Sequence, residues 1–359
     1  MIFLMIVVLP LAAQTLNLSG RVADDETGNS LPDVTIYING TTRGTTSDLE
    51  GLFELNGISL PCELIFSHVS YQLLRIYMDD NSQTGKLDIE LKKKRVPIME
   101  ATVISDSAYQ ELPEKFRKWF LGKDYLETGA RILNDSILRF IPLERDQFEA
   151  YADQPLLVEL PYTGYVLKAD LVHFELTEKE ELGGLYCSIL GYFYFEEPGD
   201  ASWRQRRKLA RNRMKTYYGS RDHFCRSLYE NKLEENGYRL VKVCPDTSGS
   251  SLHDIHEADF KRSSLIAGTN AKTRVMELTD FNCDAYYIFY YFRKDHSPVD
   301  LANLYAMPPR MSRSELPFMQ DTIHLFPSGR VAENALLFGG EMGSKGVAWT
   351  LPDDYLPPR

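Results

Sequence analysis

The densest set of metal-ligating side chains in this chain is the run HDIHEAD, where His253, His256 and Asp259 recur at three-residue spacing around Asp254 and Glu257. Imidazole nitrogens and carboxylate oxygens are ordinary zinc ligands, so this run is the candidate metal site. Its spacing argues against hydrolytic zinc chemistry. That chemistry uses H-x-x-E with a distant third ligand, or H-E-x-x-H on a helix, and His256-x-x-Asp259 is the nearest approach to either. The run also follows a Ser- and Gly-rich stretch, Asp246–Ser251, so it reads as an exposed polar linker, and no cofactor is expected.

A second set, Ser220, Asp222 and His223, holds the residue types of a nucleophilic triad. Immediate neighbours on a helix point apart and cannot relay a proton to one another. Ser220 instead suits a helix N-cap, and Asp222 suits the first turn, where a negative charge meets the positive end of the helix dipole. His68, on an alternating strand, reads as a packed or edge histidine.

The third set is cationic. Between Ser202 and Arg221 stand Arg204, Arg206, Arg207, Lys208, Arg211, Arg213, Lys215 and Arg221, with no acid among them. At helical pitch Trp203, Ala210, Met214 and Tyr217 form one apolar seam, leaving most of these charges on the other faces. The chemistry on offer is contact with a polyanion or lipid headgroup, with Arg204, Arg206, Arg207, Arg211, Arg213 and His223 as the candidate binding residues. The competing reading is a solvated helix whose charges pair with Glu175–Glu181 and Glu196–Asp200.

Elements must position these groups, and the chain is long enough for two or three domains: 359 residues, of which 43% are hydrophobic. The 21 Tyr and 18 Phe against 3 Trp favour strands. A net charge of -11 opposes general binding to nucleic acid or anionic membranes, and no nucleic-acid partner is expected. Cys62, Cys187, Cys225, Cys244 and Cys283 show no C-x-x-C spacing; the odd number leaves at least one thiol unbridged within the chain, and buried unpaired thiols are the expectation for most.

Met1–Ala13 is apolar but too short to span a bilayer, and small residues follow it, so residues 1–13 read as a secretory signal despite lacking Lys or Arg at the start. No later segment approaches the ~20 apolar residues of a membrane helix, so no transmembrane segment is expected after signal cleavage.

From Leu16 onward apolar residues alternate: Leu16, Leu18 and Val22; Val34, Ile36 and Ile38; Phe53 and Leu55; Leu64 and Phe66; Leu87, Ile89 and Leu91. Turn pairs separate the runs, at Thr27-Gly28, Asn39-Gly40, Glu50-Gly51 and Asn56-Gly57. About seven short strands suit a small antiparallel sandwich over residues 15–92. The motifs G-R-V-x-D-x-x-T-G at Gly20–Gly28, L-P-D-V-T-I-Y-I-N-G-T-T at Leu31–Thr42, G-T-T-S-D-x-x-G-x-F at Gly44–Phe53 and L-I-F-S-H-V-S-Y at Leu64–Tyr71 resemble the carboxypeptidase-regulatory-like domain. The resemblance implies a transthyretin-like sandwich without catalytic residues of its own. Such domains accompany zinc carboxypeptidases and begin TonB-dependent outer-membrane receptors of Bacteroidetes. The dyad strands of a receptor barrel do not follow here.

Residues 93–110 read as a linker and 111–359 as a larger β-rich α+β domain, which makes the chain mainly β. Expected elements are a helix at Glu111–Leu121 and strands at Ile137–Pro142, Phe148–Ala152, Leu156–Leu160, Tyr165–Leu176 and Leu185–Phe195. Helices near 202–236 follow, at Ser202–Tyr218 and at Ser220–Asn236 with Gly237 as terminator. The chain closes with strands at Tyr238–Cys244, Arg274–Leu278, Ala285–Arg293, Thr322–Phe326, Ala335–Phe338 and Gly346–Thr350. Met307–Arg313 and Leu351–Arg359 read as Pro-rich coil. The segments Ala152–Tyr165 and Tyr218–Leu228 resemble a Bacteroidetes-type group in which the same sandwich precedes an uncharacterised β-rich region. Together these features imply an exported protein of the periplasm or outer-membrane periphery that binds an envelope protein or glycan without catalysis. The alternative is a peptidase-like hydrolase, by association with the regulatory domain. The aromatic strand at Tyr286–Phe292 adds a second candidate surface, whose rings stack on sugars if they face outward.

Overall fold

The computed structural model describes residues 16–79, 82, 86–94, 106–143, 147–179, 184–197, 199, 201–243, 266–269, 275–278, 285–301, 310–317, 323–331 and 338–358. Contacts divide the chain into two compact units, Met1–Asn39 with Arg43–Arg95, and Gly40–Thr42 with Val96–Arg359.

The first unit holds seven strands: β1 (Leu16–Asp24), β2 (Thr35–Ile38), β3 (Gly44–Thr46), β4 (Leu52–Ile58), β5 (Cys62–Ser67), β6 (Leu74–Met78) and β7 (Leu87–Leu91). They form two sheets, ordered β4-β1-β7 and β3-β2-β5-β6. The alternating residues Leu18, Val22, Ile36, Phe53, Leu55, Leu64 and Phe66 meet in one core, as period-two burial requires. One pair departs from the expected antiparallel pattern: β7 lies parallel to β1. The connection from β6 to β7 passes from one sheet to the other, so no hairpin forces reversal of the chain. Asp24, at the end of β1, accepts hydrogen bonds from the Glu26 and Thr27 amides, the Thr27 hydroxyl and Tyr71 Oη at 2.7–3.0 Å, and Lys93 Nζ lies 3.2 Å away. The Tyr71 bond, ahead of the others, holds its carboxyl well below the usual range. His68 Nδ1 accepts the Ser70 amide at 3.1 Å and its ring packs edge-on against Tyr71, as expected of a packed histidine.

The second unit opens with α1 (Asp106–Leu121) and α2 (Tyr125–Thr128). The expected linker is therefore shorter than 93–110, because 106–110 are already helical. Leu112, Phe116 and Phe120 recur four residues apart, so they share one face of α1 and enter the core of a sheet. That sheet comprises β8 (Arg131–Ile132), β9 (Leu138–Pro142), β10 (Phe148–Ala152), β11 (Leu156–Leu160), β12 (Tyr165–Lys179) and β13 (Gly184–Glu196). β12 is its axis: β13 pairs along one edge, while β11 and then β10 share the other. Two helices follow, α3 (Trp203–Tyr217) and α4 (Arg221–Glu230).

Next come β14 (Tyr238–Val243), β15 (Ile266–Thr269), β16 (Met276–Leu278), β17 (Ala285–Phe292), β18 (Arg310–Pro317), β19 (Ile323–Leu325) and a short α5 (Gly340–Ser344). The strands β14-β17-β18 and β15-β16-β19 form two small sheets, and α4 shares a second core with them through Phe224, Cys225 and Leu228.

Three expectations are corrected. α4 ends at Glu230 rather than Asn236, because Asn231 adopts the left-handed conformation (φ 60°) and its N–H closes on Leu228 O and Ser227 O. Gly346–Thr350 is a 3-10 turn over Val347–Trp349, not a strand. Arg310–Arg313, expected as coil, begins β18 and pairs with β17. Among the described residues, no helix is long and apolar enough to cross a membrane.

Candidate functional site

α3 starts cleanly. Ser202 Oγ accepts the Gln205 amide at 3.4 Å while Gln205 Oε1 accepts the Ser202 amide at 2.8 Å, a reciprocal capping box. One side of the helix is then pinned to the turn between β11 and β12. Asn212 Nδ2 donates to Tyr162 O at 2.7 Å and Arg213 Nε donates to Thr163 O at 2.8 Å. Arg213 also pairs with Glu197 at 2.7 Å and lies 3.9 Å over the Tyr165 ring. Gly164, at φ 77°, closes that turn, and Leu209 packs so near it that an added Cβ would sit 2.6 Å from a Leu209 methyl.

The opposite face of α3 is open, although the helix ends in buried Thr216 and Tyr217. Every residue from Trp203 to Lys208 is exposed, as are Ala210, Arg211 and Lys215, and Trp203 retains 70% of its surface. At 3.6 residues per turn, Arg204, Arg207, Lys208, Arg211 and Lys215 fall within an arc of about 100°, a stripe roughly 16 Å long. Trp203 borders the stripe, with the Arg207 guanidinium 5.8 Å from its ring. The candidate arginines thus separate. Arg204, Arg207 and Arg211 lie on the open stripe. Arg206, seven residues before Arg213 and on the same face, lies off the stripe and donates to Ala201 O at 2.9 Å, and Arg213 belongs to the packed side.

Among the described residues, the expected acidic partners meet this helix at one point. Glu197 pairs with Arg213, whereas Glu196 pairs with Lys168 at 2.7 Å. No ion pair joins Arg204, Arg207, Lys208 or Arg211 to an acid among the described residues. Like charges three or four residues apart destabilise a helix by about 0.2–0.5 kcal/mol per pair. Cations in the first turns also oppose the helix dipole. Helix stability alone therefore does not explain this stripe.

α4 follows after three residues and is its opposite. His223, Phe224, Cys225, Arg226, Ser227 and Leu228 are consecutive and all buried. Ser220 caps the helix as expected, accepting the His223 amide at 3.1 Å, and makes no bond to the imidazole. The His223 ring sits among Tyr217, Tyr218, Tyr238 and Tyr290, with centroids 5.0–5.8 Å away. Its Nδ1 accepts the Gly219 amide at 3.2 Å and lies 2.9 Å from Tyr238 Oη. The Gly219 donor fixes the lone pair on Nδ1, so the ring proton is on Nε2 and Tyr238 donates. Burial, reinforced by the Arg226 charge, lowers the His223 pKa to about 3. The imidazole is neutral near pH 7 and its basic nitrogen is occupied, so it serves neither as general base nor as an anion contact. His223 is a buried structural group, which corrects its place among the binding candidates. Burial raises the Asp222 pKa, against the pull of Arg221 and Arg226.

Arg226 is the residue that pattern reading missed. Only 6% exposed, it donates through Nε to Ser328 O, through Nη2 to Asp353 O at 2.6 Å and through Nη1 to Tyr355 O at 2.8 Å. One guanidinium thereby satisfies three carbonyls from two later loops. Beside it, Ser220, Arg221, Asp222, Met342, Lys345, Trp349 and Thr350 line a cleft of about 20 Å³, room for little more than one water molecule.

In β17, Tyr286, Ile288 and Tyr290 are buried, while Tyr287, Phe289 and Tyr291 lie half-buried on the other face. The Arg313 guanidinium already stacks 4.9 Å over Tyr287, which corrects any picture of a bare sugar platform there. The metal candidates His253, His256 and Asp259 lie outside the described residues, as do Cys244 and Cys283. Among the described residues no group of three His, Cys, Asp or Glu side chains is gathered to hold a metal. Cys62, Cys187 and Cys225 are unbridged, and burial raises the Cys187 thiol to about 12.

Residues 18–103 match the family model of the CarboxypepD_reg-like domain. No curated protein matches the chain. Two solved structures show low similarity. A Bacteroides fragilis protein of unknown function covers 52% of this chain and 84% of its own, at 10% identity and a TM-score of 0.18. A 9R-lipoxygenase from Cyanothece covers 64% of this chain at the same identity and TM-score, and the match spans half of the lipoxygenase.

Proposed function

We propose, taking the CarboxypepD_reg-like domain at residues 18–103 as the premise, that this chain is an exported envelope protein acting as a binding module without catalysis. The sandwich serves as spacer or docking scaffold, and the second unit carries the contact surface. One observation supports the reading above the rest. The outer face of α3 presents Arg204, Arg207, Lys208, Arg211 and Lys215 to solvent beside an exposed Trp203, at a cost to the helix itself. A local conflict of this kind marks a site kept for contact rather than for folding. Its partner is an anionic component of the envelope. No observation on the described residues favours the hydrolase alternative, and His223 is disqualified as a base by its own hydrogen bonds.

Site-specific photo-crosslinking in the source organism tests the reading. A crosslinker at Ala210 should give adducts in the envelope fraction, and the same group at Lys118 on α1 should not. Recovery of the chain in the cytosol, or an Ala210 probe no more reactive than the Lys118 probe, overturns it.

A further inference from the structure

We infer that the outward face of α3 docks on a bilayer surface rich in anionic lipid headgroups, a proposal that rests on the binding-module reading above and names its partner. Three features favour a lipid surface over a folded partner. First, the cations form an open stripe about 16 Å long on the exposed face of α3. A planar field of charge fits that stripe without further shape matching. Second, the stripe is bordered by Trp203, 70% exposed. Indole is the side chain that settles at a membrane–water interface, with its apolar ring toward the acyl chains and its N–H in the headgroups. Third, Arg204, Arg207 and Arg211 have long apolar stems that lie along a surface while the guanidinium reaches phosphate. Ala210, exposed on the Trp203 seam, leaves the approach unobstructed.

The net charge of -11 opposes long-range attraction to an anionic surface but is weak at contact. At physiological salt, charge more than about 8 Å from the surface is screened, so the local stripe sets the sign of the field. The geometry is that of a peripheral helix lying on the membrane, anchored to its own protein through Leu209, Asn212 and Arg213.

The test is partition of the full chain onto vesicles of phosphatidylcholine with or without 30% phosphatidylglycerol, read by sedimentation and by tryptophan emission. The expected result is binding to the anionic vesicles only, weakened by salt, with a blue shift that disappears in Trp203→Ser. Each stripe cation replaced by Gln should lower the partition coefficient roughly fivefold. The triple variant Arg204→Glu, Arg207→Glu, Arg211→Glu should abolish binding. The same charge change at Lys118, Lys123 and Lys294 should leave it within twofold, and circular dichroism verifies that both triple variants fold. Equal binding to neutral vesicles, or an unaffected stripe variant, overturns the proposal. Retention on dextran sulfate or polyglutamate without vesicle binding, lost in the same triple variant, overturns the lipid partner but leaves the binding-module reading standing. If none of the anionic probes binds, both fall.

Discussion

α3 and α4 are separated by three residues, yet they place the same chemical groups in opposite settings. α3 carries a row of guanidinium and ammonium groups into water, held to the protein by one side only. α4 buries six consecutive residues, including a histidine and an arginine. Arg211 touches solvent, while Arg226 touches three backbone carbonyls. The comparison teaches that residue type does not assign a role at this elbow. An arginine on the open side is available to a partner. An arginine on the closed side is part of the fold, because an uncompensated carbonyl in the interior is expensive and a charged donor satisfies several at once.

The contrast can be broken most forcefully at Arg226. Arg226→Ala leaves three part-buried carbonyls without their donor and should lower the unfolding free energy by about 3 kcal/mol, measured by urea denaturation. Arg211→Ala should change it by less than about 0.5 kcal/mol. A similar effect at both positions would erase the distinction between the helices.

His223 gives the next largest effect and a pH signature. His223→Phe strands the Gly219 amide and leaves Tyr238 Oη only its longer bond to Ser220 O at 3.4 Å, and should cost about 1–3 kcal/mol at pH 7. The folded pKa, about 3, lies below the ordinary unfolded value of about 6.5. Between these values the unfolded state binds a proton that the folded state refuses, so wild-type stability falls as the pH drops below about 6.5 and levels off near 3. The advantage of wild type over His223→Phe should therefore shrink by about 2 kcal/mol from pH 7 to pH 5. The raised Asp222 carboxyl acts in both proteins and cancels in the difference. A pH-independent difference would mean that the imidazole is not sealed in.

Smaller effects sharpen the two faces of α3 itself. Arg213→Ala removes the Thr163 bond, the Glu197 pair and the stack on Tyr165, and should cost about 1 kcal/mol. Replacing Arg204 or Arg207 by Gln should leave stability unchanged or raise it by a few tenths of a kcal/mol, because like-charge repulsion is relieved. Thermal unfolding of these single variants would resolve the ordering, and a loss at Arg204 matching that at Arg213 would refute the open stripe.

Much of the fold was legible in the sequence. Phe148–Ala152 and Leu156–Leu160 are strands at the expected residues, and the hairpin of β12 and β13 turns about where alternation stops. The family resemblance of the sandwich agrees with the model match at 18–103. Legibility failed where local signals competed. Gly237 reads as a helix terminator, but Asn231 reached the left-handed conformation first and ended α4 a turn and a half earlier than expected. Met307–Arg313 reads as coil because of its prolines, yet pairing with the long β17 draws Arg310 onward into a strand. At the candidate site, helical periodicity sets Arg211 and Arg213 on opposite faces, but it did not say which face packs: Trp203 and Ala210 of the expected apolar seam are exposed, and nothing local marked Arg226 as a clamp.

By itself, then, the amino-acid sequence determined the alternation of the strands, the caps of α3 and α4, and the supply of cations without acids between Ser202 and Arg221. These depend on neighbours within a turn or two of chain, where backbone geometry is set by the residues themselves. Only the tertiary structure decided which cations remain in water and which become internal donors. That choice rests on segments more than a hundred residues away, such as Ser328 and Tyr355, whose carbonyls reach Arg226 only when the chain has closed around α4. Burial is a property of such distant encounters, and burial fixes whether a charge binds a partner or holds the fold.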